Sequence, residues 1–422
     1  MAITSFTEIG PKKNLVPDKE ISRINYHRRM RNLFRQDFLE LGIQPSFGTI
    51  AYEKSFVPIA TEKNRAIRIN WFRRLATFYP EFMLAERPVI SIDGNERFTE
   101  IVADLGRNLF PMLQRANVDM LKFGEGIITT HPQDPLQFIR IEPDYHYTVV
   151  NELGEVQGDI IVVVREDQEL IDVIKYRVTG ESTWTIHKYA PGVVGEHVRS
   201  VPIPGRRGRQ VVELNLNADK TSLFEDIRDA VGEISRTLGS LSHTIERNAK
   251  PHLFGPSNAV QEDERGNVVL DVNGQYFGLN ADDVTPGYLQ WDSGVEAINW
   301  EYDTLKDTIF EMTGLSKAMF TPESIGGDIS GIALKRMYMP FVAKLNHFKE
   351  INNHIIEEIL FIYNMNRAVS GLEIFSFEMK DINVEWTFEE IFNDEPNEPV
   401  IEGGDSGPGT GDAPESGESD SS

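Results

Sequence analysis

The chain is 422 residues long, enough for two or three domains or one elongated one. It has no cysteine, which excludes disulfides, thiol catalysis and thiolate metal sites and fits a reducing compartment. The net charge of −24 is unevenly placed: residues 381–422 hold thirteen Asp and Glu and no Lys or Arg, whereas residues 12–74 carry fourteen basic and six acidic side chains. Blocks of one sign are commonly solvated faces or tails, so the acidic balance alone does not exclude a nucleic-acid partner.

The segment MAITSFTEIGPKKNL lacks an apolar h-region, and no stretch approaches about eighteen uninterrupted apolar residues. Neither a signal peptide nor a membrane span is expected, and the chain reads as soluble. Residues 19–41 predict an amphipathic helix with Ile24, Met30, Leu33, Phe34, Phe38 and Leu41 on one side. Arg28, Arg29, Arg31 and Arg35 occupy its other faces. A second helix is predicted through NRAIRINWFRRLATFY, stopping near Pro80, followed by a short strand in RPVISID. A third, over residues 97–122, ends in Phe123-Gly124-Glu125-Gly126, where glycine terminates the helix and a strand begins.

Between residues 126 and 215 the period changes. GIITTH, QFIRIE, YTVVN, GDIIVVVRE, IDVIKYRVT, STWTIHKYA and EHVRSVPI are β-branched or aromatic runs separated by turn signals. They predict one meandering antiparallel sheet. With helices before and after it, the fold class is α+β.

Helix returns at residue 222, capped by Thr221 or Ser222. Ile227, Val231, Ile234, Leu238, Leu241 and Ile245 follow at alternating spacings of 4 and 3, a heptad seam. At about 1.5 Å per residue, residues 222–249 make a rod about 42 Å long. Ile298, Tyr302, Leu305, Ile309 and Met312 repeat the pattern. Residues 251–295, rich in Gly, Asn and Asp with short strands in NVVLDV, QYFGL and GYLQW, lie between the two rods. The pattern fits a projecting helical hairpin with a β-containing tip, or an ordinary buried helix pair. After the glycine-rich stretch TPESIGGDISG a long helix is predicted over about 331–369, with Leu334, Tyr338, Phe341, Leu345, Phe348, Ile355, Ile359 and Ile362 along one stripe. Pro340 should kink it near residues 336–340. Beyond about Asn393 the sequence is Gly, Pro, Ser and acid, and disorder is expected because little burial offsets the ordering entropy.

Little in the sequence points to catalysis. GDISG has the spacing G-x-x-S-G rather than G-x-S-x-G, and PGRRGRQ at residues 204–210 lacks the Lys followed by Ser or Thr of a phosphate loop. The nine histidines form neither H-x-x-x-H nor H-E-x-x-H. FGEG sits at a helix C-terminus, the wrong end of the dipole for phosphate, and reads as a turn. The chain is read as a non-enzyme with no catalytic residue, cofactor or metal.

The order of parts resembles the portal proteins of tailed double-stranded-DNA bacteriophages, over about residues 20–390. The resemblance rests on a helix followed by ERPVIS, then LKFGEGIITT, then IEPDYHYTVVNELGEV leading into the meander. The paired long helices around a β tip follow, then GGDISGIALK and a late strand in DINVEWTF. It implies a ring of about twelve copies at one capsid vertex, a channel for genome packaging and ejection. It further implies a wing over residues 1–220, stem helices over 221–250 and 296–320, and a clip over 251–295. A tunnel loop over 321–331 and a kinked wing helix with a late strand over 332–392 complete the order before the tail at 393–422.

The resemblance places Ser324, Ile325, Gly326, Gly327, Asp328, Ile329, Ser330 and Gly331 in the tunnel loop beside non-specifically bound DNA, with Lys335 and Arg336 one turn into the next helix. It places His252, Phe254, Tyr276, Phe277, Tyr288 and Trp291 in the clip, facing the packaging motor and later the head-completion adaptor. The implied partners are copies of the chain, double-stranded DNA, the terminase large subunit, the major capsid protein and an adaptor protein. The location implied is the virion, after assembly in a bacterial cytoplasm. The helices of a crown, common in such proteins after the late strand, are absent or reduced here. Another head–tail adaptor or structural virion protein, or a soluble acidic enzyme, are the alternatives.

Overall fold

The computed structural model describes residues 3–35, 67, 69–206, 208–248, 294–315, 319 and 331–387, with the backbone of five short strands between 252 and 289. It is a mixed helix and sheet structure. The first helix, α1 (Ile21–Phe34), buries Met30 and Leu33 and leaves Phe34 half-buried. Phe38 and Leu41 lie outside the described residues. Helix α2 (Trp71–Met83) is capped by the Asn70 side chain, which accepts from the Arg73 amide at 2.9 Å. It does not stop at Pro80. The proline leaves the Ala76 carbonyl without its helical donor, yet Tyr79, Pro80 and Met83 are all buried, and that packing carries the helix one turn further.

Helix α3 (Glu96–Phe123) starts at Asn95, whose side chain accepts from the Phe98 amide at 3.2 Å. It ends at Gly124, in the left-handed region at φ 91°. A Cβ there would lie 2.0 Å from the Lys220 carbonyl oxygen, so only glycine fits. Strand β1 (Val89–Ile92) lies between α2 and α3 and pairs antiparallel with the last strand, β15 (Ile382–Glu385), in register Ile90 to Val384.

The β-rich middle is two sheets, not the single meander expected from the sequence. Strands β2 (Glu125–Thr130), β3 (Phe138–Ile141) and β9 (Val211–Asn215) form one, in the order β3-β2-β9. Strands β4 (His146–Val150), β5 (Val156–Arg165), β6 (Leu170–Arg177), β7 (Thr183–Ala190) and β8 (Val193–Val201) form an antiparallel meander. Proline partitions them. Pro143 opens a 3-10 turn between β3 and β4, and Pro202 and Pro204 interrupt the chain between β8 and β9.

The meander is covered on both faces. Ile160 and Val162 of β5 pack with Ile3, Ile9 and Val194, while Ile161, one position on, packs with Ile127, Tyr176 and Val211. That alternation explains why the strand reads as the continuous run IIVVV. The N-terminal segment supplies the outer layer: Ile3 bridges Val149, Asn14 bridges Val193, and Lys175 Nζ donates to the carbonyls of Phe6 and Ile9 at 2.7 and 2.8 Å.

Helices α4 (Leu223–Asn248), α5 (Val295–Thr313) and α6 (Gly331–Val369) complete the fold. The main core gathers rings from several helices. Tyr79 lies 5.6 Å from Phe341 and 5.1 Å from Phe348, and Phe72 lies 5.0 Å from Phe224. Helix α6 runs unbroken through Pro340, with Phe341, Leu345, Phe348, Ile355 and Ile359 buried. Helix α5 ends earlier than residue 320: Gly314 turns left-handed at φ 75° and the Leu315 amide returns to the Phe310 carbonyl at 2.9 Å.

Because Ile9 of the N-terminal segment is fully buried against the meander, Ile9→Ala should cost about 2–4 kcal/mol of stability. Urea unfolding followed by far-UV circular dichroism measures it. An unchanged midpoint would mean that the segment is not part of the core.

Candidate functional site

Helices α4 and α5 pack along one another, with the short strands between them. Within that hairpin the heptad seam is buried only over part of its length. Ile227, Val231, Ile234 and Ile309 are buried, and Leu238, Tyr302 and Leu305 are half-buried against the same core. Leu241 and Ile298 are also half-buried. Ile245 and Met312 are not buried at all: they are 54% and 47% exposed. At the end of α5, Phe310 and Thr313 turn inward in place of Met312. A straight helix repeats at 3.6 residues, so a strict heptad drifts off the buried face within a few turns.

The outer surface of the hairpin is acidic and carries isolated apolar groups. Helix α5 holds Glu296, Glu301, Asp303, Asp307 and Glu311 against Lys306 alone, and Lys306 is paired with Asp303 at 3.2 Å. On α4, Arg228 reaches Glu225 at 3.2 Å and Arg236 pairs with Glu233. Trp300 is 72% exposed on α5, and Met337 and Met339 are exposed near the start of α6.

The base of the hairpin is a buried charged junction. Glu125 of β2, Asp159 of β5 and Glu213 of β9 converge with Arg23 of α1, Arg209, and Lys220 in the turn before α4. Arg23 contacts Glu20 at 2.5 Å and Glu125 at 2.6 Å, and donates to the His146 carbonyl at 2.7 Å. Lys220 Nζ sits 2.8 Å from both Glu125 and Glu213. Arg209 donates to the two oxygens of Asp159 at 3.1 and 2.8 Å and also pairs with Glu213. His146 Nε2 lies 2.9 Å from Asp159, and His27 lies between Asp144 at 2.8 Å and Glu125 at 3.5 Å. Arg31 extends the chain of charges to Asp144 and to Glu142 at 3.3 Å.

Burial alone would push these carboxyl groups up, but the neighbouring cations outweigh it. His146, Arg209 and Lys220 hold Glu213 far below the usual carboxylate range. Asp159 is lowered by hydrogen bonds from His146 and Arg209, and Glu125 by the charges of Arg23, Lys220 and His27. Ligand atoms of His146, Asp159 and Glu213 lie within 4.8 Å of one another, a spacing that could suit a metal ion. The donor set argues otherwise: Arg209 occupies both Asp159 oxygens, and Arg209 and Lys220 flank Glu213, so the positive charge this cluster needs is already supplied by the chain.

The residues singled out in the sequence fall as follows. Ser324, Ile325, Gly326, Gly327, Asp328, Ile329 and Ser330 lie outside the described residues, as does Trp291. Gly331 opens α6, Lys335 lies in its first turns, and Arg336 is exposed. His252 and Phe254 lie on β10 (His252–Pro256), the central strand of a three-stranded sheet. It pairs in parallel with β13 (Tyr276–Leu279), aligning Phe254 with Phe277, and antiparallel with β14 (Gly287–Leu289), aligning Leu253 with Tyr288. Strands β11 (Gln261–Glu262) and β12 (Val268–Val269) form a separate pair. Arg209 is paired with Asp159 and Glu213, and Arg206 donates to Thr130 and to two backbone carbonyls. The charged junction escaped the sequence reading, although carboxylates inside the apolar runs GDIIVVV and VVELN were its visible signal. The sequence matches no protein-family model, and no curated protein matches it.

Two outcomes follow from this geometry. The carboxylates of the junction titrate below their unfolded values, so their stabilisation is complete above about pH 4–5 and is lost progressively as pH falls from there toward the lowered folded-state values. The urea midpoint should drop steeply from pH 5 to pH 3, and Glu213→Gln should cost about 3 kcal/mol at pH 7 while flattening that dependence. Equal midpoints at pH 7 and pH 3 would show that the junction contributes nothing. Along the hairpin, Ile234→Asp should unfold the chain or prevent its assembly, whereas Ile245→Asp should leave the monomer's circular dichroism and melting unchanged. Identical behaviour of the two variants would contradict the burial boundary.

Proposed function

We propose that this chain is a portal-type subunit: about twelve copies form a ring at one capsid vertex, a channel through which double-stranded DNA is packaged and later ejected. The observation that carries the reading is the hairpin of α4 and α5 around a small β module. It is rooted in the body by the charged junction and followed by the long helix α6, which packs into the same core. Exposed Ile245 and Trp300 on the outer turns of the hairpin, with Met312 at its base, give neighbouring copies apolar surface to cover.

In this reading α4 and α5 form the stem, and the acidic side chains of α5 contribute to a bore that repels phosphate and lets DNA slide. Residues 324–331, joining α5 to α6, are the loop nearest the DNA, with Lys335 and Arg336 touching the backbone without reading bases. The module carrying His252, Phe254, Tyr276, Phe277, Tyr288 and Trp291 meets the terminase large subunit and then a head-completion adaptor. The rest of the body meets the major capsid protein. Function then lies in assembly and passage, with no bond made or broken by the chain.

The mass of the purified protein in native solution tests this first: a particle near twelve times 47.9 kDa is expected. Gly326→Pro together with Gly327→Pro should leave the ring intact but reduce DNase-protected DNA in a packaging reaction several-fold, because the loop loses its conformational freedom. A strictly monomeric chain would overturn the reading. Normal packaging by the double variant would remove the loop from the mechanism.

A further inference from the structure

A half-open cavity of about 600 Å³ lies where the starts and ends of β7 and β8 meet the proline-bearing segment 202–206. Its wall combines Trp184, Val201, Ile203 and Pro204 with the hydroxyls of Thr183 and Ser200, and Arg206 closes one side. The size suits a small organic ligand.

Arg206 is the anomaly of this wall. Its guanidinium donates to Thr130 Oγ1 at 2.9 Å and to the carbonyls of His131 and Pro132 at 2.5 and 2.8 Å, and it lies over the Tyr176 ring. All of these partners are neutral. Among the described residues no carboxylate comes within ion-pair distance, and its Nε is buried without a hydrogen-bond partner. Arg23, Arg31, Arg140 and Arg209 are also half-buried, but each meets an acid. The titration behaviour separates them in the same way. Desolvation lowers Arg206, outweighing the charge of Asp134, which acts on it without contact, whereas the acidic partners raise the other four. A charge held away from water without a counter-ion favours an incoming anion.

We propose that this cavity binds a small monocarboxylate with an aromatic or branched apolar body. The carboxylate lies against Arg206, and the apolar part lies against Trp184, Ile203 and Pro204. The charge count selects a monoanion over a phosphate: Arg206 is the one cation among the described residues that line the cavity, and Glu181, also in the lining, opposes a second negative charge. The site is separate from the α4–α5 hairpin, so it stands or falls independently of the channel reading.

Titration calorimetry of the full-length protein with 4-phenylbutyrate, and with its uncharged amide, tests the assignment. Saturable binding of the acid is expected, with the amide at least about tenfold weaker, since the amide forgoes a charge-assisted hydrogen bond. Arg206→Met should abolish the preference for the acid. Because Arg206 also clamps the carbonyls of residues 131 and 132, Ser200→Trp provides a second test. It fills the cavity from an exposed position and should block both compounds with the fold intact. Equal affinity for acid and amide, undiminished binding to Ser200→Trp, or no saturable binding to the parent chain would each overturn the proposal.

Discussion

Carboxylates placed in the middle of apolar strands cannot be left unpaired away from water, and the arrangement of this molecule follows from how that constraint is met. Asp159 is fully buried in β5, and Glu125 is 2% exposed in β2. Their counter-charges come from distant stretches of sequence: Arg23 from the first helix, Arg209 from beside β9, and Lys220 from the turn that launches α4. Each cation touches more than one acid, so the two sheets, α1 and the root of α4 are fastened to a single set of charges. The backbone reinforces the joint. Lys220 adopts a left-handed φ of 53° and brings its carbonyl against Gly124, leaving no room for a side chain at that position. Ser222 then caps α4 while its own hydroxyl donates to the Leu121 carbonyl at 3.0 Å. The direction in which α4 leaves the body is therefore set within three residues.

A rigid root has a consequence for the hairpin above it. Near the body, α4 and α5 share the aromatic core built by α2 and α6: Tyr79 donates its hydroxyl to the Thr313 carbonyl, and Trp71 meets Phe310 edge-on at 5.9 Å. Farther out, among the described residues, the two helices pack chiefly on each other, and a pair of helices cannot bury more than one stripe apiece. Exposure of Ile245 and Trp300 follows from this geometry and not from poor packing. Under the ring reading, the core fixes the base of each hairpin, and neighbouring copies cover what a single copy leaves open.

Much of the fold was legible because local chemistry and tertiary burial agree. The glycine after Phe123, the first part of the α4 heptad from Ile227 to Ile234 and the stripe of α6 from Phe341 to Ile359 each state a period or a stop that the packing honours. The sequence misled where a distant contact outweighed a local signal. Pro80 reads as a helix terminator, but burial of Tyr79 and Met83 carries α2 past it. The run from residue 126 to 215 reads as one sheet because both sheets have the same strand period, and the division depends on where Pro143, Pro202 and Pro204 redirect the chain. Of the candidate site, the hairpin was visible in its spacing. The junction at its base was not, since Arg23 and Glu125 are partners across about a hundred residues and no local pattern joins them.

The same junction changes the meaning of the basic N-terminal stretch. Fourteen positive side chains within residues 12–74 invite a nucleic-acid role when counted along the sequence. In space, Arg23 and Arg31 point inward to Glu125 and Asp144, Lys19 lies 3.8 Å from Glu8, and Arg74 lies 3.8 Å from Glu81. Arg209, in the other basic cluster, is likewise paired with the buried Asp159. A cation that neutralises a buried carboxylate cannot also release counter-ions from a phosphate chain. Arg23 and Arg31 therefore serve folding, while Arg28 and Arg35 are exposed arginines that the same stretch leaves on the surface. Under the ring reading, a charge count along this stretch therefore overstates what it can offer to DNA.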